Sequence, residues 1–252
     1  MSSSDGRRLG LQVPAAVAAL ALCSLLALLA WGASPYAGYL RHDYQPDGAA
    51  DQAAAYGLFL AGWLLMSAAM MLPTATRLLR DFAVTVQRRP ERHRLQALVV
   101  AGFLATWLAT GYLFRVLDTV VHALVGSVGW LEQRPDLVGA SVLVAAGLFQ
   151  FSSLQHRCLT ACRSPRSFIY RHWRGGDPHA DALRVGLVYG ASCVGCCWAL
   201  MLLMFAVGMA NLAWMLALAA LMAVEKNTRW GPRLARPAGA GLAAAGVMSV
   251  LI

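Results

Sequence analysis

The sequence predicts an all-α fold: a bundle of six or seven membrane-spanning helices in a single domain, 1–252, with its N-terminus on the cytoplasmic side. Three observations carry this expectation. Hydrophobic residues make up 59% of the 252 positions and charged residues 13%, against roughly half and a quarter in soluble domains, and the mean hydropathy is +0.56. Residues 9–40, 52–76, 95–114, 137–156, 185–224 and 237–252 hold no Asp, Glu, Lys or Arg. One crossing takes about 20 mostly apolar residues, so most of these stretches hold one span and 185–224 holds two. The cations also alternate: of 21 Lys and Arg, all but Arg41, Arg115 and Arg134 fall before the first run, between the second and third, after the fourth, or after the long one. Lys and Arg concentrate in cytoplasmic loops, so this pattern marks the inner side.

Each element follows from these limits. Span 1 covers about 13–31, behind Arg7 and Arg8. That flank also resembles a signal peptide, but five further spans favour an uncleaved helix. The 32–53 loop, with Asp43, Asp47 and Asp51, lies outside. Span 2 covers about 54–73 and is expected to stop or kink at Pro73. Span 3 runs outward over 97–116, and 119–131 is too short to cross, so it lies on the outer surface. Span 4 returns over 137–156, and 157–184 reads as a polar cytoplasmic connector. Spans 5 and 6, 185–207 and 209–225, meet in a tight outer hairpin near Gly208–Asn211. Residues 237–252 reach only about 24 Å, which leaves a seventh span undecided. A pI near 9.7 would suit a nucleic-acid partner, but the alternation of the cations makes the charge a topology signal. The partner expected is the lipid bilayer.

Catalytic motifs are missing: the chain has no nucleophile elbow, P-loop, HExxH or dinucleotide fingerprint. A binding role is therefore favoured over an enzymatic one. What the spans carry is sulfur, in six Cys and ten Met. Cys193, Cys197, Met201 and Met204, spaced four, four and three, share one helical face, with Cys196 beside them. Counted from Arg184, that ladder rises from about 13 Å to about 30 Å above the inner boundary. Met66 and Met70, with Met71 adjacent, lie at about 16 Å and 10 Å depth, and Met215 near 15 Å. Three helices thus present soft donors at similar depth.

Thiolates and thioethers favour Cu(I), and the poverty in carboxylates disfavours magnesium, calcium or manganese. Zinc wants Cys together with His, and no span supplies a clear His. Packing remains the plainer account of any single Met, a common gap-filler, and of lone Cys23. After span 4, Cys158 and Cys162 stand four apart, ahead of Pro165, flanked by Arg157 and Arg163, cations that favour the thiolate. They are expected at the cytoplasmic mouth, as metal-exchange ligands or as incidental thiols.

Met70-Met71-Leu72-Pro73, Cys158-Leu159 to Cys162-Arg163-Ser164-Pro165, Gly195-Cys196-Cys197-Trp198-Ala199-Leu200-Met201, Asn211-Leu212-Ala213-Trp214-Met215 and Glu225-Lys226 together resemble a bacterial family of unknown function described as predicted metal-binding integral membrane proteins. The likeness extends over about residues 63–226. It implies an inner-membrane, multi-pass protein with a suspected metal, sometimes called copper-related, and supplies no reaction.

The expected function is Cu(I) binding in copper handling, either transport or delivery, with a copper chaperone or copper enzyme as partner. Cys193, Cys197, Met66 and Met70 form the expected central site, supported by Cys196, Met71 and Met215. Met201 and Met204 continue outward, and Cys158 with Cys162 exchange metal inside. Two alternatives stay open. One is a thiol oxidoreductase using Cys193/Cys196 with Cys158/Cys162 as a relay; the other is a structural or assembly subunit whose sulfur only packs.

Overall fold

A computed structural model describes residues 3–41, 49–132, 134–207 and 211–251. Its elements are α1 (Ser3–Gly32), a 3-10 turn (Ala37–Leu40), α2 (Ala49–Val86), α3 (Arg92–Ser127), α4 (Gly129–Glu132), α5 (Pro135–Phe149), α6 (Ser153–Arg163), α7 (Pro165–His172), α8 (Pro178–Val207), α9 (Leu212–Asn227) and α10 (Gly231–Leu251). The fold is all-α. Among the described residues, five helical segments are long and apolar enough to cross a membrane: Gln12–Gly32, Ala50–Val86, Arg92–Ser127, Pro178–Met204 and Gly231–Leu251. The bent pair α5–α6 makes a sixth if it counts as one span.

Helix α8 is the centre of the packing. It lies most extensively along α3 and also meets α5, α6, α7 and α9, while α1 pairs with α2 and α10 with α5. Small residues let α3 and α8 touch backbone to backbone. Gly186 and Gly190 are four apart, the spacing that allows close helix approach, and a Cβ at Gly186 would collide with the Val99 carbonyl. Thr106 seals the seam by donating its hydroxyl to the Leu187 carbonyl at 3.1 Å. The outer faces of α1, α3 and α10 stay apolar, with Leu22, Leu26, Tyr112, Leu113, Leu124, Val247 and Leu251 exposed.

Several local expectations are corrected. Helix α2 does not end at Pro73 but runs through it to Val86, its turn held by Thr74 and Thr76 hydroxyls that donate to the Met71 and Pro73 carbonyls at 2.8 Å each. Its last turns lie under α7, with Phe82 edge-on to Trp173 at 5.3 Å. Residues 119–127 are no separate surface segment but the end of α3. The expected span 137–156 is broken at Gln150–Ser152, where the chain bends by 63°. Ser152 caps the new helix by accepting from the Gln155 amide at 3.1 Å, and Gln155 donates to Gln150 at 3.0 Å inside the bend.

The connector 157–184 is folded rather than plain loop. It holds most of α6, all of α7 and a turn at Gly175 with φ +83°, where Asp181 accepts from the Arg174 and Gly175 amides at 3.0 and 2.6 Å. The C-terminal element begins at Gly231, six residues before the expected start, so its 21 residues reach about 32 Å. Helix α9 has 16 residues, about 24 Å. Its N-cap is Asn211, which accepts from the Trp214 amide at 3.2 Å. The rest of the expected hairpin, 208–210, lies outside the described residues, as do Asp43 and Asp47.

Candidate metal centre

The break between α5 and α6 positions the site. By turning α6 against α8 it brings Cys158 and Cys162 onto the sulfur face of α8. The Cys162 and Cys196 Sγ atoms are 4.0 Å apart. Cys193 is a side-chain neighbour of Cys162, Cys196 and Cys197, and all four are buried. Within α8, the Cys196 and Cys197 thiols donate to the Cys193 carbonyl at 3.0 and 2.9 Å, the back-bonding of a thiol one turn along a helix. Tyr189, one turn earlier, donates its hydroxyl to the Cys162 carbonyl at 3.1 Å and so pins α6 to α8.

At the heart of the cluster stands a charge. Lys226 is 3% exposed, and its ammonium donates to Cys193 Sγ at 2.8 Å and to Thr74 Oγ1 at 3.4 Å, with Cys197 Sγ and Met71 Sδ each at 3.9 Å. Four helices thus contribute: α2 gives Met71 and Thr74, α6 gives Cys162, α8 gives Cys193, Cys196 and Cys197, and α9 gives Lys226. Two arginines hold the end of α9 in place. Arg163 donates to the Glu225 and Thr228 carbonyls at 2.7 and 2.6 Å, and Arg77 donates to the Asn227 carbonyl at 2.8 Å. These are the terminal carbonyls of a helix, which lack partners in their own helix and draw cations. Among the described residues, no three His, Cys, Asp or Glu side chains stand as a ready ligand set for a metal. The sulfurs are gathered around the ammonium instead.

The structure sorts the sequence candidates. Cys193, Cys196, Cys197 and Met71 meet as a group. Cys162, expected at an open mouth beside Cys158, is 5% exposed and belongs to the interior cluster. Cys158 alone of that pair is half-buried, its Sγ so close to Gly195 that a Cβ there would lie 2.5 Å away. The guanidinium of Arg163, expected to act on these thiols, is spent on α9. Met70 departs from the expected partnership with Cys193 and Cys197. With Met215 it lines a separate cavity of about 230 Å³ formed by Ala21, Leu22 and Leu25 of α1, Ala69 of α2, and Leu216 and Ala219 of α9. Met66, Met201 and Met204 are fully buried in the same core. Cys23, expected to pack, is exposed on α1.

Sequence reasoning missed Lys226 as part of the site, although a signal was present: it is the only lysine in the chain, the other twenty cations being arginines. A compact ammonium on a flexible stem does what a planar guanidinium does not.

The chain is all-α with long apolar helices, and it gathers buried thiols and a thioether, donor types that soft metals prefer, around one cation. Residues 60–249 match the family model PpoB2: Copper chaperone, and the chain belongs to that family. The matched region takes in every cluster residue and leaves out residues 1–59, and with them α1, Cys23 and the first turns of α2. Comparison with curated proteins and with solved structures finds no match.

Proposed function

We propose that this protein is a membrane-embedded Cu(I) carrier of the bacterial inner membrane, which accepts copper on its cytoplasmic side and delivers it toward a copper enzyme. The observation that carries the reading is the convergence of Cys162, Cys193, Cys196, Cys197 and Met71, from three helices, about one buried cationic position. Thiolate and thioether together select Cu(I). The apolar outer faces of α1, α3 and α10 suit contact with lipid.

Cys158, the half-buried thiol, is the entry ligand. Cys162 and Cys196 come next, 4.0 Å apart, and Cys193, Cys197 and Met71 form the holding site. Met66, Met201 and Met204 extend soft surface outward, with Met70 and Met215 to one side. Transfer between such neighbours proceeds by replacing one sulfur at a time, so the cargo is never released as a free ion.

The test is an anaerobic Cu(I) titration of the detergent-purified protein, with reductant present, against a chromogenic chelator. One tightly held Cu(I) per chain is expected, with loss of that site in Cys193→Ser and in Cys162→Ser. Full binding by the Cys162→Ser/Cys193→Ser double variant would refute the reading. The 4.0 Å approach of Cys162 to Cys196 favours one second reading, a thiol oxidoreductase whose disulfide joins those two rather than Cys193 and Cys196. That activity would survive copper chelation and vanish in Cys196→Ser.

A further inference from the structure

We propose that Lys226 is a resident stand-in for the cargo: its ammonium fills the Cys193–Cys197–Met71 space in the copper-free chain, and Cu(I) enters by displacing it. The inference rests on the copper reading above and adds to it a specificity-determining residue.

Three features carry it. The first is position. The Nζ atom is within 4 Å of three sulfurs from two helices, at 2.8 Å from Cys193 and 3.9 Å from Cys197 and Met71, where a metal ligated by those same atoms would have to sit. Ammonium and metal exclude each other there. The second is charge. A cluster this deeply buried pays heavily for any change in net charge. Exchanging –NH₃⁺ for Cu⁺ replaces one positive charge by one positive charge, so the interior keeps its balance. With the protons on Cys162, Cys196 and Cys197 unchanged, a divalent ion such as Zn²⁺ would leave a surplus charge in the core, and offsetting it would require one of these buried thiols to release its proton as well. Lys226 thereby adds a preference for monovalent over divalent soft metals to the one the sulfur donors already give.

The third feature is an exit. Lys226 lies next to the last residue of α9, Asn227, with the C-cap Thr228 just beyond, and a lysine near a helix end can swing its four-carbon stem toward the interface. Arg163 and Arg77 hold the α9 backbone while this happens, so the side chain moves and the helix does not. Arginine at this position would be too broad to fill the cluster and too planar to leave it easily. The single lysine of a chain with twenty arginines is placed where that difference counts.

The same singularity makes the test direct, because Lys226 is the only residue with a side-chain amine. The purified wild-type protein is exposed to a small amine-acetylating reagent in the absence of metal, with Cu(I) under anaerobic conditions, with Ag(I) as a second soft monovalent probe, and with Zn(II). Acetylation of Lys226 is read by peptide mass spectrometry, and bound metal is measured in parallel. The expected result is protection without metal and with Zn(II), and nearly complete acetylation with Cu(I) and with Ag(I). Stoichiometric Cu(I) binding with Lys226 still protected overturns the displacement while leaving the copper reading intact. Equal exposure by Zn(II) overturns the charge argument. Failure of the wild type to bind Cu(I) at all overturns both.

Discussion

The proposed site makes Met71 a ligand and leaves its neighbour Met70 to packing, and substitution tells the two roles apart. Met71 Sδ lies 3.9 Å from the cation position at Lys226 Nζ, whereas Met70 faces the cavity it shares with Met215. With metal–sulfur bonds of about 2.3 Å, Met71 Sδ has to close by about 1.6 Å to become a ligand. Three rotatable bonds make that reach available to a methionine. Met71→Leu removes the thioether and keeps most of the volume, costing less than about 1.5 kcal/mol of stability. Its cost in binding is larger. Disturbing even a group behind the ligands typically costs 10–100-fold in metal affinity, so loss of the thioether should weaken Cu(I) by at least about tenfold, or 1.4 kcal/mol. Met70→Leu should leave the affinity within about twofold, since 1.4 kcal/mol is a full factor of ten and no comparable contact is lost. The assay is competitive Cu(I) titration of both variants beside wild type, with thermal unfolding in the same detergent as the control for packing. Equal weakening by the two substitutions, or weakening by Met70→Leu alone, would refute the assignment.

Further outcomes follow from other parts of the structure. A membrane-impermeant thiol reagent applied to inverted vesicles should modify Cys158 and spare Cys162, because the first is half-buried and the second enclosed; modification of both at equal rates would put Cys162 back at an open mouth. Arg163→Ala removes two short charge-assisted bonds to the end of α9, each worth roughly 1.5–3 kcal/mol when fully enclosed. With Arg163 partly solvated, a loss of about 2 kcal/mol is expected, read as a lower midpoint of thermal unfolding together with weaker Cu(I) binding. Gly186→Ala drives a methyl into the Val99 backbone carbonyl, and such overpacking costs about 1–3 kcal/mol; wild-type stability in that variant would mean that α3 and α8 are not in close contact. Reporters fused after Arg94 and Arg174 should both read cytoplasmic, and an external signal from either would invert the proposed orientation.

Much of the fold was legible because it follows from solvent preference alone. Charge-free runs locate the long helices, and the four-residue spacing of Cys193 and Cys197 gives a shared face without knowledge of any neighbour. What stayed hidden depends on how helices are rotated and bent against each other. Met70 and Met71 differ by about 100° around one axis, and only the packing of α2 against α1, α3 and α9 says which one meets the cysteines. Pro73 predicts a stop from local chemistry, but tertiary packing and two threonine hydroxyls carry the helix through. The bend at Gln150–Ser152 is signalled only by polar residues at the end of an apolar run, so Cys162 reads as exposed when the bend in fact turns it inward. Lys226 was hidden in plain count, since a tally of positive charge treats lysine and arginine alike.

Consecutive residues of α6 serve different masters. Cys162 offers sulfur to the interior, and Arg163 grips the last carbonyls of α9 just ahead of the three-residue link into α10. The two share a peptide bond, so they cannot move independently. The end of α9 and the link into α10 are thereby fastened to the residue beside the thiol, so the carboxyl-terminal part of the chain and the sulfur cluster share one anchor.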